Sequence, residues 1–262
     1  MKLLHDNLNK TKQFKYPIHS VENAFFVLEA LAENGLESGI AQLCKKTALP
    51  KGTIHRLMGT LKNLGYIEQN PLNRKYRLTV KILKLGYPIA DNIGISYLIP
   101  CMKALSKEFN ETVNLAVLDG DEILYIYSDG GENTLKFDLK IGSHQPVYCA
   151  ALGRVLLAYQ PEENIDQYLQ RIELKSHTPF TLIDKAQLKK ELKKIKKQGY
   201  AFIKEEYMIG VFCVAVPIKN THGDISVGMS FSIPTARYDK QKVDQLTNAL
   251  LSTSKEITLP CF

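Results

Sequence analysis

The stretch Leu49-Pro-Lys-Gly-Thr-Ile-His-Arg-Leu-Met-Gly-Thr-Leu-Lys-Asn, residues 49–63, decides the fold of the first third of this chain. Its apolar residues recur at i, i+3, i+4 and i+7, the spacing of one buried face of an α-helix. They are Ile54, Leu57, Met58 and Leu61. Pro50 suits the first turn of such a helix, because the N–H that proline lacks is not needed there. The spacing therefore predicts an amphipathic helix from about Pro50 to Asn63.

The other faces of this helix carry basic and polar side chains but no acid. No Asp or Glu occurs between Glu37 and Glu68. A solvent-facing helix usually mixes acidic with basic residues, so an acid-free face is typical of a surface that lies against phosphates. We therefore interpret it as a DNA recognition helix. The candidate DNA contacts on it are Lys51, Thr53, His55 and Arg56.

Two helices are predicted before this one and a hairpin after it. Ser20 is a plausible N-cap for the first helix and Gly35 its stop, while the second runs from Ile40 to about Thr47. Residues 66–69 and 75–79 alternate as short strands around the turn sequence Asn70-Pro-Leu-Asn. Three helices followed by a basic hairpin make a winged helix-turn-helix. The wing candidates for DNA contact are Arg74, Lys75 and Arg77.

The net charge supports this interpretation. The chain has 34 Lys and Arg against 27 Asp and Glu, a net charge of +7. Residues 1–86 contain 14 basic and 6 acidic residues, a net of +8, and the remainder contains 20 and 21, a net of −1. A basic region concentrated in one domain is the electrostatic pattern expected for binding to a phosphate backbone. We therefore expect double-stranded DNA as a partner.

Other composition features exclude several classes of protein. No apolar run approaches the roughly 18 residues of a membrane span, and the polar, lysine-rich start does not resemble a signal peptide. The five cysteines are scattered and form no Cys-x-x-Cys, so neither a zinc site nor a disulfide framework is indicated. We expect a cytoplasmic protein without membrane contact, metal or cofactor.

The rest of the chain predicts a sheet with segregated helices. Residues 113–118 and 123–127 are apolar strands joined by Asp119-Gly-Asp, a strong hairpin signal. Further strands are predicted at 135–139, 213–218 and 225–233, and helices at 96–109, 151–159, 162–171, 185–198 and 240–257. The predicted fold class is α+β, with a mixed α/β sensor module similar to the GAF and PAS type.

Four segments follow from these elements. The predicted segments are an N-terminal tail at 1–16, a winged helix-turn-helix at 17–79, a helical connector at 80–98 that breaks at Gly86 and Pro88, and an effector-binding domain at 99–262. A helical connector holds the geometry between two domains better than a flexible coil does.

A candidate ligand site lies at the start of the helix near Ala150. Free N–H groups at a helix N-terminus, aided by the helix dipole, form a ready site for a carboxylate. The small residues Ala151 and Gly153, with Leu152 between them, let a ligand approach that backbone. Ser230 and Ser232 alternate on one strand, so both hydroxyls point to the same face.

The sequence resembles the IclR family of transcription regulators over residues 17 to 258. The resemblance is carried by Ser20-Val-Glu-Asn-Ala, Leu49-Pro-Lys-Gly-Thr-Ile-His-Arg-Leu-Met, Gly65-Tyr-Ile, Lys75-Tyr-Arg-Leu, Glu111-Thr-Val-Asn-Leu-Ala-Val-Leu-Asp-Gly, Pro146-Val-Tyr-Cys-Ala-Ala-Leu-Gly-Arg, Gly199-Tyr-Ala and Gly210-Val-Phe-Cys-Val-Ala-Val-Pro-Ile. It implies a homodimer or homotetramer, an operator with inverted half-sites, and a C-terminal domain that binds small organic, aromatic or sugar acids. It also implies control of catabolic or metabolic genes.

The resemblance also implies effector contacts. They fall on Ala151, Leu152, Cys213, Ser230 and Ser232, and Phe137, Tyr148 and Ile203 complete the candidate set. This chain departs from the family at several positions: Ile203 and Lys204 stand where acids are common, Tyr148 replaces the usual histidine, Ala150 a common Ser or Thr, and Arg154 a lysine. Ile203 and Ala150 favour a less hydroxylated ligand than a sugar acid, whereas an inward-pointing Lys204 favours a second anionic group.

Two other functions compete with a regulator that has no catalytic activity. A cysteine-based enzyme or redox sensor would use Cys149 or Cys213, with a base such as His144, His177 or His222 within reach. The second alternative is a module that uses the winged helix for RNA or protein contact. Binding of single-stranded RNA would usually require exposed aromatic residues among the basic ones, and the recognition helix has none. Both patterns are weaker than the one for duplex DNA.

Overall fold

The computed structural model describes residues 16–33, 37–137, 139–257 and 259. The predicted tail therefore lies almost wholly outside the described residues, as does the predicted stop at Gly35. The chain forms two compact units, with the boundary between Ile89 and Ala90. Among the described residues, no helix is both long and apolar enough to cross a membrane.

Over its described residues before the connector, the first unit has three helices and a two-stranded hairpin. Their bounds are α1 His19–Glu33, α2 Ile40–Thr47, α3 Lys51–Asn63, β1 Ile67–Gln69 and β2 Tyr76–Leu78. The predicted apolar stripe of α3 is buried at Ile54, Met58 and Leu61, and it shares one core with Val27 of α1 and Leu43 of α2. The strands β1 and β2 are antiparallel. The winged helix-turn-helix is thus built around the stripe that periodicity identified.

The turn between α2 and α3 depends on one residue with a positive φ angle. Ala48 has φ +57°, in the left-handed region that residues with a Cβ rarely adopt. Thr47 donates its hydroxyl to the Leu43 carbonyl, and its Oγ1 also accepts a hydrogen bond from the Leu49 amide. These bonds stabilise the tight turn that directs α3 away from α2.

Two predictions about helix ends were wrong. Ser20 is the second residue of α1 and not its cap, since the Val21 and Glu22 amides bond to the Ile18 carbonyl. The connector does not break at Gly86 or Pro88: a 3₁₀ turn at Val80–Ile82 leads into α4, Leu83–Asn92, which contains both. Their neighbourhood is exposed, so water can satisfy the carbonyl that Pro88 leaves without its helical donor. The break comes at Gly94, with φ +73°.

The second unit is a six-stranded antiparallel sheet with helices on both faces. Its strands are β3 Thr112–Asp119, β4 Glu122–Asp129, β5 His144–Pro146, β6 Ala201–Lys204, β7 Val211–Lys219 and β8 Ile225–Pro234, in the order β5-β4-β3-β8-β7-β6. Its helices are α5 Ile95–Phe109, α6 Ala151–Ala158, α7 Glu162–Arg171, α8 Lys185–Gln198 and α9 Lys240–Glu256. The predicted α+β class is confirmed.

The two faces of the sheet have separate cores. Alternate residues of β8 face opposite sides: Met229 and Phe231 belong to the core beneath α5 and α9, whereas Ser230 and Ser232 face the side of α6. On that side, Gly228 allows α6 to lie close to the sheet, because a Cβ there would be 2.8 Å from Leu152 Cδ2. The close packing places the N-terminus of α6 beside the two serines.

Two strand predictions need correction. Residues 135–139 form no strand over the described positions (Asp138 lies outside them). The Leu135 carbonyl accepts a hydrogen bond from Arg237 Nη1 and the Leu135 side chain is exposed, so this segment pairs with a side chain and not with a strand. The short strand β5, His144–Pro146, was missed because three residues ending in proline give no readable alternation.

Candidate nucleic-acid interface and effector pocket

The basic candidates on α3 are exposed and lie on two flanks of the helix. Lys51 and His55 are four residues apart and share one flank. Thr53 and Arg56 are three apart and share the other, where they border a groove between α1 and α3. Thr53 is half-buried in that groove, whereas the other three are exposed. The predicted contacts on this helix therefore do not form a single row.

The wing is shaped by an acid that sequence reasoning did not single out. Glu37 accepts hydrogen bonds from Asn70 Nδ2 at 2.8 Å and Asn73 Nδ2 at 2.6 Å, which hold the turn between β1 and β2. The same two bonds lower the pKa of the Glu37 carboxyl, because they favour its charged form. Asn70 Oδ1 also accepts from the Leu72 amide. The wing therefore has a defined shape.

The three wing candidates differ in their surroundings. Arg74 and Lys75 are exposed at the turn, and Arg74 has φ +59°. Arg77 Nε donates to Glu68 Oε1 at 2.6 Å across the hairpin. Both side chains of that pair are about half exposed, at 53% and 51%. Arg77 is therefore partly neutralised by an acid on its own hairpin, and Arg74 and Lys75 are the stronger candidates for phosphate contact.

A pocket on the α6 side of the sheet brings together seven of the eight predicted effector residues. Phe137, Ala151, Leu152, Ile203, Cys213, Ser230 and Ser232 all line it. The empty space is about 430 Å³, part of it open to solvent. The lining residues that sequence reasoning did not propose as contacts are Tyr125, Gln145, Cys149, Ala150, Glu205, Glu206, Tyr207, Met208 and Val211.

Tyr148, the eighth predicted residue, does not line this pocket. Its hydroxyl donates to the Lys175 carbonyl at 2.9 Å and lies 3.0 Å from His177 Nε2. Tyr148 belongs to the 3₁₀ turn Val147–Cys149 that precedes α6, and its hydroxyl lies against the segment just before Thr178. The structure therefore does not bring Tyr148 together with the other seven predicted residues.

The N-terminus of α6 opens into the pocket without a side-chain cap. Ala150 precedes the helix in an extended conformation, and the first helical bond runs from the Arg154 amide to the Ala150 carbonyl. The first-turn amides of Ala151 and Leu152 therefore precede any helical acceptor. Gly153 is required here, since a Cβ would lie 2.4 Å from the Val147 carbonyl oxygen.

A buried chain of hydrogen bonds ends at Ser232 on the pocket wall. Ser128 Oγ donates to Asn114 Oδ1 at 2.8 Å, and Asn114 Nδ2 donates to Ser232 Oγ at 3.0 Å. Cys213 Sγ lies 3.3 Å from the same hydroxyl, from the opposite position in the strand register. Asn114 is completely buried. Its only sequence signal was a polar residue in an otherwise apolar strand.

The two carboxylates of the pocket have different environments. Glu206 forms a bidentate ion pair with Arg154, at 2.8 and 2.5 Å, and accepts from the Leu182 amide at 2.9 Å. Its charge is therefore compensated within the protein. Glu205 has φ +60°, and its Oε1 accepts from the Gly210 amide at 2.8 Å. A backbone held in this sparsely populated region is characteristic of functional sites.

Lys204 is the residue on which one ligand interpretation depended. Its side chain is exposed, and Nζ lies 4.0 Å from the centroid of the Tyr238 ring. It points away from the pocket, while Ile203 before it points in. This is the alternation of a β-strand. The structure therefore removes the argument for a second anionic group on the ligand.

The cysteines of the pocket are protected thiols. Burial raises the pKa of Cys149 to about 12 and that of Cys213 to about 11. The pKa of each thiol lies far above neutral pH, so the nucleophilic thiolate is scarce. His144 is paired with Asp119 Oδ2 at 2.8 Å and His177 with Tyr148. Over the described part of the chain, no group of His, Cys, Asp and Glu is arranged to hold a metal ion.

Comparisons with known proteins agree with both units. Residues 20–71 match the IclR helix-turn-helix domain, and residues 92–259 match the family model described as bacterial transcriptional regulator IclR C-terminal. The chain is 32% identical over 242 residues to the HTH-type transcriptional regulator KdgR of Escherichia coli (strain K12), covering 92% of each protein.

Solved structures show the same fold. An IclR transcriptional regulator from Alicyclobacillus acidocaldarius has a TM-score of 0.77 at 26% identity, over 92% of this chain and 98% of that one. An IclR homologue from Microbacterium hydrocarbonoxydans, complexed with 4-hydroxybenzoate, has a TM-score of 0.75 at 21% identity, over 90% and 98%. Because the family models and the KdgR alignment span most of the sequence, this chain belongs to the IclR family of bacterial transcriptional regulators.

Proposed function

We propose that this protein binds duplex operator DNA through α3 and the wing and responds to a small carboxylic acid held in the pocket beside α6. The genes that it controls are catabolic or metabolic ones. The observation that carries the proposal is the N-terminus of α6, which has no side-chain cap and opens into the same pocket as Ser230, Ser232 and Cys213.

The donors of this pocket favour a single carboxylate. The amides of the first turn of α6 and the helix dipole attract an anion. Ser232 adds a donor when Cys213 donates its S–H to the Ser232 oxygen, because that oxygen then accepts from Asn114 Nδ2 and from Cys213 and its own hydrogen is available. Among the described lining residues there is no Lys, Arg or His, so a second negative charge on the ligand would meet no cation.

Part of the pocket lining favours a mainly apolar ligand body. Phe137, Ile203 and Val211 supply apolar surface there. Glu205 supplies a carboxylate oxygen that accepts from a ligand hydroxyl. Several polar groups of the lining are already engaged within the protein, since Tyr125 donates to Gln145 and Glu206 is paired with Arg154. The many hydroxyls of a sugar acid would have to compete with these contacts, so an aromatic or short aliphatic hydroxy acid suits this pocket better.

A homodimer or homotetramer on an operator with inverted half-sites completes the proposal. The connector helix α4 carries exposed apolar side chains away from the predicted DNA contacts, namely Leu83 at 63%, Tyr87 at 72% and Ile89 at 60%. An exposed apolar surface of this kind supports self-association, because its burial against a second copy is favourable. Light scattering on the purified protein measures the number of copies.

The ligand half of the proposal is tested by calorimetric titration with 4-hydroxybenzoate, benzoate, succinate and gluconate. We expect one of the two aromatic monocarboxylates to bind at least tenfold more tightly than the dicarboxylate or the sugar acid. In Ser232→Ala that affinity should fall about tenfold, the effect of losing a hydrogen bond to a charged group, about 1.5 kcal/mol. Preference for succinate would contradict the single-carboxylate assignment.

The DNA-binding half of the proposal is tested with Arg56→Ala and Ser232→Ala in a gel-shift assay on the duplex upstream of the protein's own gene. Arg56→Ala should weaken DNA binding and leave the ligand titration unchanged, whereas Ser232→Ala should do the reverse. If either variant lost both DNA binding and ligand binding, the substitution would have caused misfolding, and the loss could not be assigned to one lost contact. Equal binding to an unrelated duplex by the unmodified protein would count against sequence-specific recognition.

A further inference from the structure

The C-terminal end of α3 leaves backbone carbonyls that the helix itself cannot satisfy. Gly65, with φ +78°, ends the helix: its amide donates to the Lys62 carbonyl, and the Tyr66 amide donates to the Leu61 carbonyl. This pair of bonds is a Schellman motif, and it satisfies carbonyls of the last turn. The carbonyls of Leu64, Gly65 and Tyr66 follow the Schellman motif and take no part in its two hydrogen bonds.

Residues at the start of the connector satisfy all three of these carbonyls. Lys81 Nζ donates to the Leu64 oxygen at 2.6 Å, Thr79 Oγ1 donates to the Gly65 oxygen at 2.6 Å, and the Thr79 amide donates to the Tyr66 oxygen at 2.9 Å. Lys81 Nζ also lies 4.9 Å from the centroid of the Tyr66 ring, in a cation–π contact.

The Thr79 hydroxyl makes hydrogen bonds both to the end of α3 and to the 3₁₀ turn that follows Thr79. While it donates to the Gly65 carbonyl, it accepts a hydrogen bond from the Lys81 amide at 3.3 Å and so caps the 3₁₀ turn Val80–Ile82 that leads into α4. The Lys81 ammonium lies at the C-terminal end of α3, where the helix dipole favours a positive charge. Thr79 therefore contacts the glycine that ends the recognition helix and also caps the turn that begins the connector.

We propose that Thr79 and Lys81 are positioning residues that fix the recognition helix to the connector and thereby set its orientation for base contacts. This inference rests on the DNA-binding half of the proposed function. Neither residue needs to touch DNA for this role. Without them, the end of α3 and the return strand β2 lose their shared anchor, and the base-reading face is no longer held in one orientation.

The test compares full-length variants on two duplexes across a salt series. One duplex is selected from a random pool by the unmodified protein, and the other is unrelated in sequence. Lys81→Met and Thr79→Val should lower the ratio of specific to non-specific affinity about tenfold, with an unchanged salt slope. Lys81→Arg and Thr79→Ser, which keep the donors, should restore it. Lys84→Met removes the same charge from the same connector and should match the unmodified protein.

A phosphate contact would give a different result. If Lys81 only met a phosphate, Lys81→Met would weaken both duplexes alike and lower the salt slope by about 0.9. That result, or an unchanged affinity ratio, would overturn the inference. Failure of the unmodified protein to select any sequence would instead contradict the proposed DNA-binding function.

A second measurement tests the junction without DNA. Amide hydrogen exchange at Gly65 and Tyr66 in the free protein should be faster in Lys81→Met and Thr79→Val and unchanged in Lys84→Met, because only the first two lose the anchor. Equal exchange rates in all four proteins would overturn the inference even if affinities changed. A uniform loss of stability would raise exchange throughout α1 to α3. Loss of the anchor should raise exchange only at Gly65 and Tyr66, so the two effects can be distinguished.

Discussion

Asn114, which is completely buried, connects Ser128 to Ser232 of the pocket wall through two hydrogen bonds. Because Ser128 donates to its Oδ1, the amide is oriented with Nδ2 towards Ser232, whose oxygen then accepts. With Cys213 donating its S–H to the same oxygen, Ser232 keeps its own hydrogen for a ligand. A residue that makes no direct contact with the pocket thereby gives a hydroxyl the polarity that a carboxylate requires.

Asn114→Asp should reverse this polarity with little change in shape. An aspartate offers only acceptors when ionised, so both serines would donate to it and Ser232 would turn its lone pairs to the pocket. We expect the affinity for the best carboxylate of the titration panel to fall tenfold or more. Ser128→Ala, which keeps the amide donor, is the control and should lose less. Unchanged affinity in Asn114→Asp would show that Ser232 does not donate to the ligand.

Among the secondary-structure elements, α6 can lie close to the turn before it because Gly153 has no side chain. A Cβ on Gly153 would lie 2.4 Å from the Val147 oxygen and 2.6 Å from Val147 Cα, both backbone atoms. Either the turn or the helix must then shift, and both contribute to the pocket. Gly59 of α3 presents the opposite case, because a Cβ added there would meet no atom within 4 Å.

Alanine at these two glycines should change stability in opposite directions. Gly153→Ala should destabilise the protein by about 1–3 kcal/mol or more, as overpacking does, and should also weaken ligand binding. Gly59→Ala should stabilise it by about 0.5–1 kcal/mol, because alanine is the better helix former at an exposed site. Urea unfolding monitored by circular dichroism measures both. A stabilising Gly153→Ala would mean that the turn at Val147 yields easily.

At the scale of the whole molecule, the cores of the two units share no residue. The core of the first unit is formed around Val27, Leu43 and Met58, and those of the second unit lie on the two faces of its sheet. Cores that are separate in this way support separate unfolding transitions, each sensitive to substitutions in its own unit.

Calorimetry on two core variants tests this independence. Phe231 is completely buried and packs edge-on against Phe109, with ring centroids 5.5 Å apart. Phe231→Ala should cost about 3–5 kcal/mol and lower only the transition of the second unit. Met58→Ala should cost about 2–5 kcal/mol and lower only that of the first. If both transitions moved together in either variant, the two units would unfold as one.

Local patterns determined much of the architecture. The i, i+3, i+4, i+7 stripe of α3 and the Asp119-Gly-Asp hairpin each depend on interactions between near neighbours, and both were predictable. Helix ends and irregular segments were less predictable: Ser20 did not cap α1, and the described residues of 135–139 formed no strand. Helix ends and loops depend on partners distant in sequence, such as Arg237 for Leu135.

Periodicity along single elements was enough to predict helix α3, the α+β class and the alternation that aims Ser230 and Ser232 at one face. The packing of distant elements instead pairs Glu206 with Arg154 across 52 positions, turns Lys204 outwards and places Asn114 beside Ser232. The same packing brings Thr79 and Lys81 to the end of α3. Such contacts join residues that no local spacing relates, since the backbone brings them together only once the sheet and helices have packed.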